Sequence, residues 1–305
     1  MKEYAIEIKN LYKKYKNKEV LTNLSFNVEK GSLFSYLGLN GAGKSTTINI
    51  LCQVLNRDSG EIKILNKNID KNSLEIKKEI GIVFQGSCLD KDLSVLANLK
   101  TKAYIYGISK KEFKNKLDFL DSILDLKPIL KSKYNRLSGG QKRRADVAHG
   151  LINNPKILFL DEPTTGLDPV NRQKVWEAIM YLIKEKNITI FLTTHYMEEA
   201  EASNKIIIID KGKIKAEGTP LELKNKYSYN FLKIYCEKNE KTEAIIKKNF
   251  KEYEYNQDHY LIKIKDSKNV HKLYENKELK EIMKNIEIIK GNLQDVFLNV
   301  TGKRI

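Results

Sequence analysis

The sequence has few cysteines, few arginines and no long apolar run, and each shortage excludes a class of protein. Its three cysteines, Cys52, Cys88 and Cys236, are far apart and lack CxxC or CxxH spacing, which argues against a disulfide framework and a zinc site. The longest stretch without a charged residue, 31–43, is shorter than the ~18 apolar residues of a membrane-spanning helix. The N-terminus has no continuous apolar core of the kind found in secretory signals. We therefore expect a cytoplasmic protein that does not itself cross a bilayer.

Positive charge is abundant but evenly spread. The 305 residues, enough for about two domains, include 55 Lys and Arg against 39 Asp and Glu, a net charge of +16. Residues 1–225 carry +11 and residues 226–305 carry +5, and only six of the 55 cations are arginine. Nucleic-acid readout favours clustered cations and the planar guanidinium fork of arginine. We expect a lysine-rich solvated surface and no specific nucleic-acid partner.

Short apolar runs alternate with helical patterns along the first 225 residues. The runs predict strands over residues 4–8, 32–38, 80–85, 156–162, 188–195 and 205–210. The helical patterns cover residues 45–53, 110–126, 141–152, 171–185 and 197–202. Several strands are continuously apolar, which is typical of a parallel sheet buried on both faces. The pattern predicts an α/β domain over residues 1–225, with a mostly parallel sheet flanked by helices.

The pattern changes after Leu223. Shorter elements follow, with strands predicted over 231–237 and 259–264 and helices over 242–250, 269–284 and 292–303. The segment 223–230 is polar and has no apolar period, so it is a candidate linker. These features predict a small α+β domain over residues 226–305.

A glycine-rich segment follows the second predicted strand and opens a predicted helix. It reads GLNGAGKS at 38–45 and fits the phosphate-loop pattern G-x-x-x-x-G-K-[ST]. Such a loop turns its backbone N–H groups toward phosphate oxygens, while Lys44 reaches the β- and γ-phosphates and Ser45 offers a hydroxyl to Mg²⁺. The predicted nucleotide contacts from this segment are Gly38, Asn40, Gly41, Gly43, Lys44, Ser45 and Thr46. The segment predicts binding of ATP with Mg²⁺.

Two adjacent carboxylates end a later apolar strand. Asp161 and Glu162 follow the buried run 157–160. A phosphate loop needs an acidic partner for the metal, which Asp161 can supply through a water molecule. Glu162 points differently and can orient and deprotonate the attacking water. The pair predicts ATP hydrolysis rather than ATP binding alone.

A third motif, LSGGQKRR at 137–144, lies between the other two, and its Ser138 is 23 residues before Asp161. Together the three resemble the motif set of the ATP-binding cassette (ABC) superfamily. The resemblance implies a P-loop ATPase cassette whose helical subdomain carries this signature. It also implies that Ser138, Gly139 and Gly140 bind the γ-phosphate held by a second subunit. Ser138 can cap a helix that begins near Gln141, which would direct free N–H groups at an anion.

The resemblance assigns further roles one residue at a time. Gln85 resembles the glutamine that contacts Mg²⁺ and the attacking water and couples to a transmembrane partner. Asp168 resembles the residue that links the two nucleotide sites of a dimer, and His195 the switch histidine that donates to the γ-phosphate. Tyr15 stands where the family stacks an aromatic ring on adenine, with Tyr12 as the competing candidate. The chain departs from the family pattern at His149, where arginine is common.

The last residues indicate which kind of cassette this is. The ending GNLQDVFLNVTGK at 291–303 resembles that of drug-export cassettes of the daunorubicin-resistance type. It also reads as an ordinary amphipathic helix. The resemblance implies the ATP-hydrolysing subunit of a multidrug or amphiphile exporter, which is peripheral on the inner face of the membrane. Its partners would be a separate permease, docked near Gln85 and 93–106, and a second ATP-binding subunit, giving a homodimer.

Two other kinds of cassette protein compete with the exporter. A soluble cassette ATPase that acts on ribosomes or nucleic acid usually has two cassettes or a long coiled-coil insertion. This chain has one cassette, with 92 residues and no sustained heptads between Ser45 and Ser138. An importer ATPase often carries a β-barrel-like regulatory domain, which the α+β pattern of the tail does not match. The exporter is therefore the favoured hypothesis.

Overall fold

The computed structural model describes residues 3–264, 273 and 275–303. The chain forms two compact units, Met1–Thr219 and Pro220–Ile305. Within the described residues, every helix is too short or too polar to cross a membrane.

A six-stranded sheet forms the centre of the first unit. Its strands, in chain order, are β3 (Leu33–Leu37), β6 (Ile80–Val83), β7 (Ile157–Asp161), β8 (Thr189–Thr194), β9 (Lys205–Asp210) and β10 (Lys213–Gly218). They lie in the order β10-β9-β3-β8-β7-β6, and all neighbours are parallel except β10 and β9. Strands β3, β7 and β8 are buried along their whole length, as the continuous apolar runs predict.

A second sheet of the first unit is antiparallel. It contains β1 (Tyr4–Tyr15), β2 (Lys18–Glu29), β4 (Ser59–Ile64) and β5 (Lys67–Asn68), in the order β2-β1-β4-β5. The predicted strand at 4–8 therefore belongs to this sheet and not to the parallel one. Its partner β2 is absent from the predicted strands, although residues 24–29 alternate apolar and polar side chains and bury every second one.

Helices cover the central sheet and complete two cores. They are α1 (Lys44–Leu51), α2 (Ser73–Glu79), α3 (Val95–Ile105), α4 (Lys110–Leu124), α5 (Gly139–Leu151), α6 (Pro169–Lys186) and α7 (Met197–Ala200). Alternate residues of β7 enter different cores: Leu158 packs with α3–α6, whereas Phe159 packs with α1 and the antiparallel sheet. The α/β fold with a mostly parallel central sheet is confirmed.

The second unit is a four-stranded antiparallel sheet with helices. Its elements are α8 (Pro220–Tyr227), β11 (Asn230–Tyr235), α9 (Glu240–Asn249), β12 (Tyr253–Asn256), β13 (His259–Ile264), α10 (Lys277–Ile282), β14 (Ile286–Ile289) and α11 (Leu293–Thr301). The strand order is β12-β13-β11-β14. The apolar side chains of α11, Leu293, Val296 and Phe297, are buried, as predicted for an amphipathic helix.

One prediction for the second unit is wrong, and another lies partly outside the described residues. The segment 223–230 is wrong as a linker, since α8 continues through Tyr227 and buries Leu223. Leucine and lysine are good helix formers, so local propensity outweighs the weak apolar period. The helix predicted over 269–284 lies partly outside the described residues, and its described part is α10. The domain boundary after residue 225 stays a prediction. In the structure the first unit ends at Thr219 and the second begins at Pro220.

Candidate nucleotide site

The carboxyl ends of four adjacent strands bring the predicted motifs to one edge of the central sheet. The phosphate loop follows β3, His195 follows β8, Glu162 follows β7, and Gln85 lies two residues beyond β6. Because β3, β8, β7 and β6 are parallel neighbours, their carboxyl ends lie side by side. Ligands bind at this edge in open α/β sheets. The strand order thus assembles residues that lie up to 157 positions apart in sequence.

The phosphate loop has the geometry that an anion site needs. Gly43 immediately precedes α1 with a φ of 111°, and Gly41 has a φ of 79°, both in the region that favours glycine. Lys44 is buried, and its Nζ donates to the carbonyl oxygen of Gly38 at 2.7 Å and to that of Leu39 at 3.3 Å. The loop therefore folds around its own lysine and presents the N-terminus of α1 to the cavity.

Glu162 lies between two basic side chains. Its Oε1 is 3.2 Å from Lys44 Nζ, and its Oε2 is 3.4 Å from His195 Nδ1. Burial acts to raise the pKa of the Glu162 carboxyl, but the attraction of Lys44 and His195 outweighs it and holds that pKa below 4.5. Glu162 is consequently an ionised carboxylate at neutral pH and can accept a proton.

Asp161 is held from the neighbouring strand. Thr193 is its register partner on β8, and Thr193 Oγ1 donates to Asp161 Oδ1. The same hydroxyl accepts a hydrogen bond from the backbone N–H of Glu162 at 3.2 Å. One buried threonine therefore fixes both carboxylate residues at the end of β7.

A cavity of about 880 Å³ opens over the phosphate loop. Its lining includes the predicted residues Tyr15, Asn40, Gly41, Gly43, Lys44, Ser45, Thr46, Gln85 and Glu162. Tyr15 lines the cavity and is 46% exposed, whereas Tyr12 is not part of the lining and donates its hydroxyl to Glu19 Oε1 at 3.0 Å. The volume falls within the usual range for ligand pockets.

The predicted signature residues lie outside this cavity. Ser138 accepts a hydrogen bond from Gln141 N at 3.3 Å and caps α5, as predicted, although α5 begins two residues earlier at Gly139. Ser138 and Gly139 are exposed, and a side chain at Gly139 would meet no atom within 4 Å. Gly140 packs against Asn171, which Asp168 holds through its backbone N–H and its side-chain amide. The structure thus joins Gly140 to Asp168 through Asn171.

Comparison with known proteins identifies the family. Residues 21–165 match the family described as ABC transporter. The chain is 38% identical over 221 residues to the Nod factor export ATP-binding protein I of Rhizobium sp. (strain N33). These residues make up 72% of each of the two chains. It is 35% identical over 225 residues to the daunorubicin resistance ATP-binding protein DrrA3 of Streptomyces coeruleorubidus, covering 73% of this chain and 71% of the relative.

This chain belongs to the ABC transporter family. It is an ATP-binding, ATP-hydrolysing subunit of the drug and export type. The fold agrees with a solved dimeric structure of the ATP-binding cassette MJ0796 bound to ADP and Pi, with a TM-score of 0.64 and 29% identity over 70% of this chain and 98% of that one. The ATP-binding subunit of another ABC transporter gives a TM-score of 0.67 at 28% identity, covering 73% of this chain and 93% of that one.

The structure of this ABC ATPase adds one residue that links three motifs. Arg143 is buried in α5, and its guanidinium donates to the carbonyl oxygens of Phe84 at 2.6 Å, Asp161 at 2.9 Å and Pro163 at 2.5 Å. The signature helix is therefore tied to the segment before Gln85 and to the segment around Glu162. The sequence shows Arg143 only as one cation within a basic run, and its partners come from two distant segments, one after β6 and one at the end of β7.

Thr193, which was also not predicted, provides a test of how this ABC ATPase holds Asp161. Thr193→Val keeps the side-chain shape but removes the hydroxyl between Asp161 and Glu162. We expect ATP hydrolysis to fall about tenfold, equivalent to ~1.4 kcal/mol, and the Mg²⁺ concentration for half-maximal activity to rise. The measurement is a Mg²⁺ titration of phosphate release.

The matched control is Thr189→Val at the other end of β8. Thr189 is as buried as Thr193, but its Oγ1 accepts from Gly31 N at 2.9 Å, away from the carboxylates. Both variants should lose similar thermal stability, and only Thr193→Val should change the Mg²⁺ dependence. An unchanged titration in Thr193→Val would show that Asp161 is positioned without this hydroxyl.

Proposed function

We propose that this ABC ATPase hydrolyses Mg-ATP in the phosphate-loop cavity and drives export through a separate membrane permease. The observation that carries the hydrolytic part is Glu162, a buried ionised carboxylate that lines the cavity between Lys44 and His195. A carboxylate in this position can receive the proton of an attacking water, while the two basic groups stabilise charge on the phosphate.

ATP is proposed to lie along the cavity from Tyr15 to Ser45. Tyr15 would stack on adenine, because its ring is partly exposed and lines the same cavity as the phosphate loop, although it is distant from the loop in sequence. The loop N–H groups and Lys44 would bind the phosphates. Residues Gly38, Asn40, Gly41, Gly43 and Thr46 would complete this binding surface.

The oxygen-bearing side chains near the γ-phosphate position suit Mg²⁺. Ser45 and Gln85 both line the cavity, and Asp161 precedes Glu162 at the end of β7. Hydroxyl, amide and carboxylate oxygens are hard ligands, and Mg²⁺ commonly takes one or two protein ligands together with phosphate oxygens and water. Bound Mg²⁺ would neutralise charge that develops on the phosphates. Ser45 and Gln85 would bind it directly and Asp161 through water.

Glu162 is proposed as the general base and His195 as its partner. The Glu162 carboxylate would orient the water and take its proton, since it is already ionised at neutral pH. His195 Nδ1 faces Glu162, which leaves Nε2 available to donate to the γ-phosphate. Gln85, which also lines the cavity, would contact the same water.

The active unit is proposed to be a homodimer with two composite sites. Ser138 and Gly139 are exposed at the N-terminus of α5 and outside this chain's own cavity, so they are free to contact nucleotide on a second chain. Asp168 would connect the two sites, because it holds Asn171 against Gly140. The relative MJ0796 is described as a dimer with ADP and Pi, which supports this arrangement.

Dimerisation provides a direct test. In Glu162→Gln, bound ATP should persist, so Mg-ATP should convert the monomer to a dimer on size exclusion. Adding Ser138→Arg should prevent the dimer, because a bulky cation replaces the cap at the shared phosphate. Lys131→Arg, at an exposed position seven residues earlier in the chain, is the control and should leave dimerisation intact. An unaltered dimer in the Ser138→Arg variant would contradict the composite site.

Export through a separate permease is supported by the relatives and by an exposed surface. Proteins named for Nod factor export and for daunorubicin resistance are among the relatives, and we propose a multidrug or amphiphile cargo for this chain. Gln85 is exposed at the cavity, and α3, which follows it, carries the exposed side chains of Tyr104 and Ile105. We propose that this surface docks on the permease at the inner face of the membrane, where the lysine-rich surface would favour anionic lipid by about 1 kcal/mol per nearby cation.

The location can be tested by fractionation at physiological salt. The tagged chain should sediment with membranes and co-purify a multi-spanning protein after detergent extraction, and RNase or DNase should not release it. If it instead sediments with ribosomes or nucleic acid and is absent from the membrane fraction, the exporter proposal is wrong.

A further inference from the structure

The loop that follows β7 holds the proposed catalytic base in an uncommon backbone conformation. This loop, residues 162–168, begins at Glu162 and ends at Asp168, and we call it the β7 loop. Glu162 has a φ of 48°, in the left-handed region that residues other than glycine seldom occupy. Such a conformation costs free energy and persists only where the surrounding structure holds it. The contacts that fix the β7 loop therefore also decide where the Glu162 carboxylate lies.

One of these contacts comes from a different element. Glu199 is a residue of α7, the short helix after His195, and only 5% of it is exposed. Its Oε1 accepts a hydrogen bond from Thr164 Oγ1, and Thr164 is completely buried. The two residues are 35 positions apart in the sequence, and neither lines the nucleotide cavity. Glu199 thus contacts the β7 loop from outside the cavity.

Thr164 is the anchor point at the middle of the β7 loop. The backbone N–H of Leu167 donates to the carbonyl oxygen of Thr164 at 3.1 Å. The next residue, Thr165, donates its hydroxyl to Glu162 Oε2 at 3.2 Å and its backbone N–H to the carbonyl oxygen of Glu162 at 3.4 Å. A displacement of Thr164 would therefore move the residue that contacts both the backbone and the carboxylate of Glu162.

The Glu199 carboxyl is costly to bury. Its Oε2 is buried and has no hydrogen-bond partner among the residues that the structure describes. Burial raises the pKa of this carboxyl, although the hydroxyls of Thr164 and Thr194 and the charge of Arg172 act to lower it. An apolar side chain of similar size would avoid the cost of the unpaired oxygen. Stability of the fold does not account for a carboxyl at this position, whereas the need for an acceptor opposite the Thr164 hydroxyl does.

We propose that Glu199 is a positioning residue for hydrolysis: the hydrogen bond that it accepts from Thr164 fixes the β7 loop and so keeps Glu162 facing the cavity. The inference rests on the proposed role of Glu162 as the general base and adds the contact by which that base is held. Because Glu199 does not line the cavity, loss of its acceptor should slow the chemical step without weakening the binding of Mg-ATP by the phosphate loop.

Two substitutions at Glu199 test the proposal. Glu199→Leu removes the acceptor, so kcat should fall about tenfold while the KM for Mg-ATP stays within about twofold of wild type. Glu199→Gln keeps an amide oxygen that can accept from Thr164 and should retain most of the wild-type kcat. Glu198→Leu is the matched control, because Glu198 is the exposed neighbour on the same helix, and it should hydrolyse ATP normally. Steady-state phosphate release gives both constants, and thermal unfolding checks the fold of each variant.

Substitution of the donor should give the same result as loss of the acceptor. Thr164→Val cannot donate a hydrogen bond, so its kcat should fall by about the same factor as that of Glu199→Leu. The double variant should be no slower than either single variant, because all three lack the same hydrogen bond. Losses that multiply in the double variant would show that the two residues act separately, and the proposal would be wrong.

A second background separates this inference from the proposed base. In Glu162→Gln the base is already absent, so adding Glu199→Leu should not lower the residual turnover further. If Glu162→Gln is inactive but Glu199→Leu and Thr164→Val hydrolyse ATP as wild type does, the inference is wrong and the proposed base stands. If Glu199→Leu slows the residual turnover of Glu162→Gln by as much as it slows wild type, Glu199 acts by another route and the inference is also wrong. If Glu162→Gln hydrolyses ATP at the wild-type rate, both proposals fail.

Discussion

Lys44→Ala should abolish productive binding of Mg-ATP and leave the fold intact. Lys44 Nζ is the buried cation of the phosphate loop, and its interactions are with two loop carbonyls and with Glu162. Without it, the β- and γ-phosphates lose the positive charge directed at them and Glu162 loses its nearest counter-charge. We expect nucleotide affinity to fall at least about 100-fold, or ~2.7 kcal/mol, and hydrolysis to become undetectable.

The measurement is equilibrium binding of Mg-ATP, followed by thermal unfolding to check the fold. Lys156→Ala is the matched control, because Lys156 is an exposed lysine at the opposite end of β7 that pairs with Glu79 at 3.0 Å. It removes one positive charge without touching the cavity and should bind as wild type does. Wild-type binding and hydrolysis by Lys44→Ala would exclude the phosphate loop as the nucleotide site.

Glu162→Gln should separate binding from hydrolysis. The amide keeps the size of the side chain but cannot take a proton from water. Turnover should therefore fall about 10³-fold, within the range for loss of a general base, while Mg-ATP still binds. Phosphate release and nucleotide retention should be measured on the same sample. Glu177→Gln, on the exposed face of α6, is the control and should hydrolyse ATP normally.

The lowered pKa of Glu162 also predicts a pH profile. The base is active when ionised and its pKa is lowered, so kcat/KM should hold steady as pH falls through neutrality and should be lost only in the acid range, below the ordinary pKa of a glutamate carboxyl. The ionised group also stabilises the fold above its unfolded pKa, and this contribution is lost as pH falls through the folded pKa. An acidic limb of the profile near pH 6.5 would instead assign the essential base to a histidine.

Local signals in the sequence predict the central sheet well. Strands β3, β7, β8 and β9 have continuous apolar runs, and their observed bounds differ from the predicted ones by at most one residue at each end. The antiparallel sheet was not predicted as a unit, because β2 pairs with β1 through a register interrupted by several shifts. Regular alternation in β2 is confined to the short stretch 24–29, which by itself does not show that β2 pairs with β1.

The motif residues of the site are predictable because their chemistry depends on short spacings. The lysine and serine of the phosphate loop are adjacent, and so are Asp161 and Glu162. Residues on other elements that hold the motif residues in place could not be predicted in this way. Thr193 is beside Asp161 only because β8 lies next to β7, and Glu199 meets Thr164 only because α7 follows β8. Sequence spacing carries no signal for such contacts.

The coupling of hydrolysis to a membrane partner is tested most directly by one ATPase comparison at physiological salt. The chain is assayed alone, with proteoliposomes that contain the membrane protein it co-purifies, and with ribosomes or DNA. We predict that the proteoliposomes change the rate of phosphate release several-fold, that Glu162→Gln shows no activity in any mixture, and that ribosomes and DNA have no effect. Stimulation by ribosomes or DNA, with no response to the proteoliposomes, would contradict the account.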